Sequence, residues 1–148
     1  MDKLPQAICQ VGLVVRDIRR AAERLAALFN VPVPEIIVTD PPESARTIYR
    51  GAPTPARARL AFFQLGQVSL ELIEPDEHPS TWREFLETHG EGVHHLAFFV
   101  EGMNEAVSFL AGQGIPLIQR GEYTGGRYAY LDGVGQLGVI LELLENDR

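Results

Sequence analysis

The chain is short of cysteine, of basic residues and of long apolar runs, and each shortage closes off a class of function. Cys9 is the only cysteine among 148 residues, which excludes an internal disulfide and a thiolate metal cluster. As the neighbour of Gln10 it is expected on the opposite face of the same strand, as a buried inert thiol. Thirteen basic residues face 20 acidic ones, for a net charge of -7. That balance repels a nucleic-acid backbone and an anionic membrane surface, and no Lys/Arg run offsets it. The N-terminus, Met1-Asp2-Lys3-Leu4-Pro5-Gln6, lacks the charged-then-apolar pattern of a secretory signal. No apolar run approaches the roughly 20 residues that span a bilayer. The expectation is a soluble, cytoplasmic protein with no nucleic-acid or membrane partner. With 45% hydrophobic residues, a chain of this length can bury roughly two-thirds of its unfolded surface as one domain, 1–148.

What the chain does have is internal repetition. Leu70-Glu71-Leu72-Ile73-Glu74 returns as Leu141-Glu142-Leu143-Leu144-Glu145, each preceded by a Gly-Gln pair, Gly66-Gln67 and Gly135-Gln136. Gln10-Val11-Gly12-Leu13-Val14-Val15 likewise aligns with His95-Leu96-Ala97-Phe98-Phe99-Val100, and each runs into a helical stretch. Two modules follow: one over about 7–75, a linker over about 76–92, and a second over about 93–145.

Within module one, residues 7–15 read as a strand, and Asp17 offers an N-cap to a helix over 18–29 with the apolar stripe Ile18, Ala21, Ala22, Leu25, Leu28 and Phe29. Prolines 32, 34, 41 and 42 bracket a short strand over 35–39, and residues 47–50 begin another before the loop 51–55. Strands over 59–64 and 68–74 are joined by a tight connection. In the linker, Ser80 reads as an N-cap, with Trp82, Phe85 and Leu86 seating a short helix on the core. Module two repeats the order: strand 93–100, helix 104–113 closed by Gly114, then strands 115–120, 127–131 and 138–144. The fold class is α+β, two tandem βαβββ modules. The Gln10–Glu71 interval exceeds the His95–Glu142 interval by 14 residues, which the Pro-rich segment 31–55 is expected to hold as loop.

Side chains alternate along a strand, so Gln10, Glu71, His95 and Glu142 each sit on a face otherwise made of small or apolar groups. One such glutamate taken alone reads as a solvated strand position. Two carboxylates on neighbouring strands of an apolar face repel and are costly to desolvate unless something positive lies between them. A divalent cation meets that need, and one imidazole, one amide oxygen and two carboxylates suit Mg, Mn, Co, Ni or Zn with positions left open for substrate oxygens. The adjacent His94 is expected to face the other way and to be structural. His78 and His89 read as exposed, Gly125-Gly126 as a hairpin turn, and Arg16, Arg19 and Arg20 as solvated.

At these residues the chain resembles the vicinal oxygen chelate superfamily of glyoxalases, bleomycin-resistance proteins and dioxygenases, over Ile8 to Glu145. The resemblance implies two βαβββ modules paired in a cup-shaped mixed sheet, the glyoxalase-like fold, around a divalent metal, often in a homodimer. It also implies ligands from the first and last strand of each module: Gln10, Glu71, His95 and Glu142. The stretch from Trp82 to Phe98, with Gly90-Glu91-Gly92 and His94-His95, is similar to methylmalonyl-CoA epimerases. Those enzymes usually have His where Gln10 stands and Gln where Glu71 stands. The Gln, Glu, His, Glu set resembles the zinc-type glyoxalase I set, but Val14, Pro75 and Glu91 stand where glyoxalases hold glutathione with Arg or Asn. The implied activity is a metal-dependent lyase or isomerase that enolises an acyl-CoA or other carbonyl compound, with Glu142 or Glu71 as general base. A glyoxalase-like lyase and a non-catalytic small-molecule binder are the alternatives.

Overall fold

Ten strands join in one mixed sheet whose seam is formed by the first strands of the two modules. The computed structural model describes residues 3–148. Met1 and Asp2, part of the stretch read against a secretory signal, lie outside the described residues. Module one contributes β1 (Gln10–Val14), α1 (Ile18–Phe29), β2 (Ile37–Val38), α2 (Pro42–Ala45), β3 (Ile48–Tyr49), β4 (Ala52–Pro53), β5 (Ala58–Leu65) and β6 (Val68–Pro75). The linker forms α3 (Thr81–His89). Module two contributes β7 (Gly92–Phe99), α4 (Met103–Gly112), β8 (Leu117–Tyr123), β9 (Gly126–Leu131), α5 (Val134–Leu137) and β10 (Ile140–Asn146). The strand order is β2-β5-β6-β1-β7-β10-β9-β8-β3-β4. β6 runs parallel to β1, β7 antiparallel to β1, and β10 parallel to β7. The four central strands are therefore the first and last strands of each module.

α1 and α3 begin where the sequence places an N-cap. Asp17 accepts a hydrogen bond from the Arg20 amide at 3.1 Å, and Ser80 accepts one from the Arg83 amide at 3.0 Å, each satisfying an otherwise orphaned donor of the first turn. α1 buries Ile18, Ala22 and Ala26 against Ala61, Phe63 and Leu72. α4 buries Ala106 and Leu110 against Ala129, Leu131, Leu141 and Leu143. These two clusters use one set of strand faces. The alternate residues face a concave surface, where Trp82 and Leu86 of α3 pack with Val14, Ile73, Tyr130 and Ile140. Among the described residues no helix is long and apolar enough to cross a membrane.

Three expectations need correction. Within 31–55 the strands expected over 35–39 and 47–50 form as β2 and β3, but the rest is not all loop: it adds α2 and β4, and β3 pairs with β8 of the other module, Ile48 opposite Arg120 and Tyr49 opposite Gln119. It thus covers the free edge of module two. α2 and α5, of four residues each, are too short to leave a helical period and were expected as loop. Finally, His94 does not face away from His95. The β1–β7 register shifts between Gly12 and Leu13, with Gly12 opposite His95 and Leu13 opposite Val93. His94 is the extra residue of a bulge, which breaks strict alternation.

Candidate metal centre

The four central strands bring Gln10, Glu71, His95 and Glu142 to one point on the concave face. His95 Nε2 lies 3.0 Å from Gln10 Oε1, 3.2 Å from Glu142 Oε1 and 3.4 Å from Glu71 Oε1. His95 is 0% exposed, Glu142 4% and Glu71 7%. The approach is possible because Gly12 faces His95 across the seam, and a Cβ there would stand 2.1 Å from the imidazole Cε1.

Oxygens Glu71 Oε1 and Glu142 Oε1 are buried and have no hydrogen-bond partner among the described residues. A buried carboxylate oxygen in that state is costly, and two carboxylates close together repel each other as well. The strain registers in the titration of the cluster. Burial pushes the Glu71 carboxyl up to about 8, opposed by His95 and reinforced by the Glu142 carboxylate. For His95, burial pulls downward, but the Glu142 carboxylate beside it and then Glu71 outweigh that pull and hold the imidazole above its ordinary value. Donor atoms of Glu71, His95 and Glu142 all lie within 4.8 Å of one another, and the Gln10 amide oxygen completes an arrangement able to surround a divalent cation.

His94 stands behind this cluster. Its Nδ1 is 2.9 Å from His95 Nδ1, so one nitrogen donates and the other accepts. Burial first, then the neighbouring His95, holds His94 well below its ordinary pKa, and so neutral. If His95 offers the Nε2 lone pair to a metal, its Nδ1–H must donate to His94. An acceptor placed behind a ligating imidazole in this way fixes its tautomer.

Around the cluster opens a cavity of about 450 Å³, walled by Phe62, Trp82, Phe99, Tyr128 and Tyr130. Three of these side chains are held by hydrogen bonds: Trp82 Nε1 donates to Tyr130 Oη at 3.0 Å, and buried Gln119 donates to Tyr128 Oη at 2.9 Å while accepting from the Thr81 amide. The alternation Tyr128-Ala129-Tyr130 was the available sign that two rings share the concave face. Gln119, as a lone strand amide, left none. Trp82 packs as expected but also lines the cavity.

The other candidates fall elsewhere. Cys9 is half-buried rather than buried, and its Sγ donates to the Ala97 carbonyl at 3.3 Å. His89 is exposed and stacked on Phe85. His78 is partly exposed beside Asp76 and Glu77. Residues 124 and 125 make the β8–β9 turn, with Tyr123 and Thr124 at the cavity rim.

The profile of the Glyoxalase/Bleomycin resistance protein/Dioxygenase superfamily matches residues 9–130. The chain belongs to that superfamily. A Bacillus subtilis (strain 168) relative, the uncharacterized protein YqjC, is 38% identical over 92 residues, which is 60% of this chain and 66%, just under two-thirds, of the relative. A hypothetical protein, BH1468 from Bacillus halodurans C-125, superposes with a TM-score of 0.67 at 22% identity over 96% of this chain and 95% of that one. Methylmalonyl-CoA epimerase from Mycobacterium tuberculosis gives a TM-score of 0.62 at 21% identity over 100% of this chain and 93% of that one. A Streptomyces coelicolor methylmalonyl-CoA epimerase in complex with 2-nitronate-propionyl-CoA gives 0.62 at 22% identity over 95% and 97%. At these identities the structural likeness is one of fold.

Proposed function

We propose that this superfamily member is a divalent-metal-dependent lyase or isomerase that enolises a carbonyl substrate, epimerase-like in its chemistry. The observation that supports this most is the pair of buried, unpartnered carboxylate oxygens of Glu71 and Glu142 converging on His95 and Gln10. In this reading Gln10, Glu71, His95 and Glu142 hold the metal, with cobalt, nickel, zinc, manganese and magnesium all compatible with the donor set. A divalent cation there supplies a Lewis acid that stabilises negative charge developing on two neighbouring substrate oxygens.

The protein's own part is positioning and proton transfer. Glu142, or Glu71 in its place, accepts the proton from the carbon next to the carbonyl and returns it to either face of the planar carbon, so that no proton is lost overall. The base is a carboxylate that stands within reach of the metal donors, beside the carbon whose proton it takes. The aromatic walls offer apolar surface against which the rest of the substrate can be positioned.

Elemental analysis of the purified protein, followed by solvent-deuterium exchange into acyl-CoA thioesters and α-hydroxy ketones, tests the proposal. Bound metal and exchange are expected. Glu142→Gln or Glu71→Gln should lower the exchange rate by about 10²–10⁴-fold with metal still bound. Metal-free protein without exchange would leave a non-catalytic binder, and unimpaired turnover in both variants would remove the carboxylates from the base role.

A further inference from the structure

We infer that the cup admits an uncharged, aromatic or apolar carbonyl end of its substrate and excludes one that carries a carboxylate. The inference rests on the metal-dependent reading above and narrows it to a substrate class. Four charged residues line the cavity, Asp40, Glu71, Glu122 and Glu142, all of them acidic; among the described residues no Lys or Arg lines it. Of Arg46, Arg120 and Arg127, only Arg46 forms an ion pair with a residue that lines it. Arg46 meets Glu122 at 3.7 Å with both side chains exposed, where such a pair is strongly screened. Arg120 and Arg127 line a separate cavity of about 400 Å³ that also touches α4, and Arg127 is held there by Glu145 and Asp147.

A divalent cation with two carboxylates and two neutral donors has no net charge. An incoming carboxylate would make that centre negative in surroundings already carrying Asp40 and Glu122, balanced at the wall only by the screened contact of Arg46 to Glu122. Like charges brought together at low effective dielectric repel, and neither can shed its charge without leaving the metal. Two vicinal neutral oxygens, a carbonyl and a hydroxyl, add no charge and satisfy the same open positions. The walls favour the rest of such a molecule: Phe62 is 39% exposed and Phe99 49%, leaving apolar surface that a ring or hydrocarbon of the substrate would cover.

The test compares two molecules that share a benzoyl group and differ in the adjacent oxygen function, α-hydroxyacetophenone with a neutral hydroxyl and benzoylformate with a carboxylate, on zinc-loaded protein. Trp82 is the only tryptophan and lines the cavity, so its fluorescence reports binding. The hydroxy ketone is expected to bind at least tenfold more tightly than benzoylformate, although a carboxylate is ordinarily the better ligand for the ion. In Asp40→Asn/Glu122→Gln, the affinity for benzoylformate should rise about tenfold at low salt, an effect that added salt weakens. The affinity for the hydroxy ketone should stay within about twofold. Equal or tighter binding of benzoylformate by the unmodified protein, or no binding of the hydroxy ketone, overturns the inference while leaving the metal reading intact. Protein that takes up neither zinc, cobalt nor nickel defeats both.

Discussion

Gly12 lies directly across the β1–β7 seam from His95, in the space that a side chain would take from the imidazole. The same seam sets Gln10 opposite Ala97, so each module offers one ligand-type residue and one small residue to the other. This reciprocal pairing is what packs an amide and an imidazole from two strands onto one point.

A methyl group at position 12 should therefore disable the centre with the fold intact. Gly12→Ala is expected to displace His95, lower affinity for zinc or cobalt at least tenfold, and cost about 1–3 kcal/mol of stability from overpacking. Gly135→Ala is the control, since a Cβ there meets nothing within 4 Å, and it should leave metal affinity unchanged. Metal titration against a chelator of known affinity reads both.

His94 gives a second expectation, about orientation. Its Nδ1 lies 2.9 Å from His95 Nδ1, and with a metal at His95 Nε2 it must be the acceptor of that bond. His94→Ala should weaken metal binding by about 10–100-fold. His94→Asn, whose side-chain oxygen reaches a similar position, should recover part of that loss, and a cobalt(II) visible spectrum should move back toward that of the unmodified protein. Equal loss in both variants would assign His94 to packing alone.

Much of this centre was legible in the sequence because it is written in period two and repeated. Glu71 and Glu142 occupy matched positions in matched strands, and so do Gln10 and His95, so the faces they share follow from alternation. The orientation of His94 was not legible, because a bulge belongs to the register between two strands and neither strand records it alone. Nor was the partner of β3. Two residues, Ile48 and Tyr49, cannot specify a long-range edge, and their pairing with β8 is secured by contacts made only in the folded chain. The aromatic wall was half legible: Tyr128 and Tyr130 alternate, whereas Gln119, which orders Tyr128, looks like any strand amide.

One of those folded-state contacts leads to the third expectation. Tyr49 donates to Glu84 of α3, and Arg50 reaches the same carboxylate at 2.7 and 3.1 Å. Arg50 in turn holds the Glu84 carboxyl below its ordinary range. These groups are largely exposed, so Glu84→Gln should cost less than about 1 kcal/mol of global stability. Local opening should respond more, because β3–β4 is short and at an edge. Faster amide hydrogen exchange is expected at Arg50, bonded to the Ile118 carbonyl, and at Thr54, bonded to the Thr47 carbonyl, with the amides of β6 and β10 unchanged.

The buried carboxylates make the fourth expectation one of pH. In metal-free protein Glu71 holds its proton to about 8, against 4.5 as its ordinary value, and His95 also holds its proton above its ordinary 6.5. Between pH 6.5 and 8 the native state therefore binds more protons than the unfolded chain, and stability must fall as pH rises. His94, with its pKa depressed in the fold, works in the opposite sense only below 6.5, so it does not mask the fall. One proton retained across this window corresponds to about 2 kcal/mol. Thermal unfolding in the presence of a chelator should show the melting temperature dropping from pH 6.5 to 8, with Glu71→Gln flattening the drop. Adding zinc should remove or reverse it, because the metal takes the place of the proton and binds more tightly as the carboxyl ionises. A metal-free melting curve that does not move over this range would mean that the two carboxylates and the imidazole are not coupled as their 3.2 and 3.4 Å separations require.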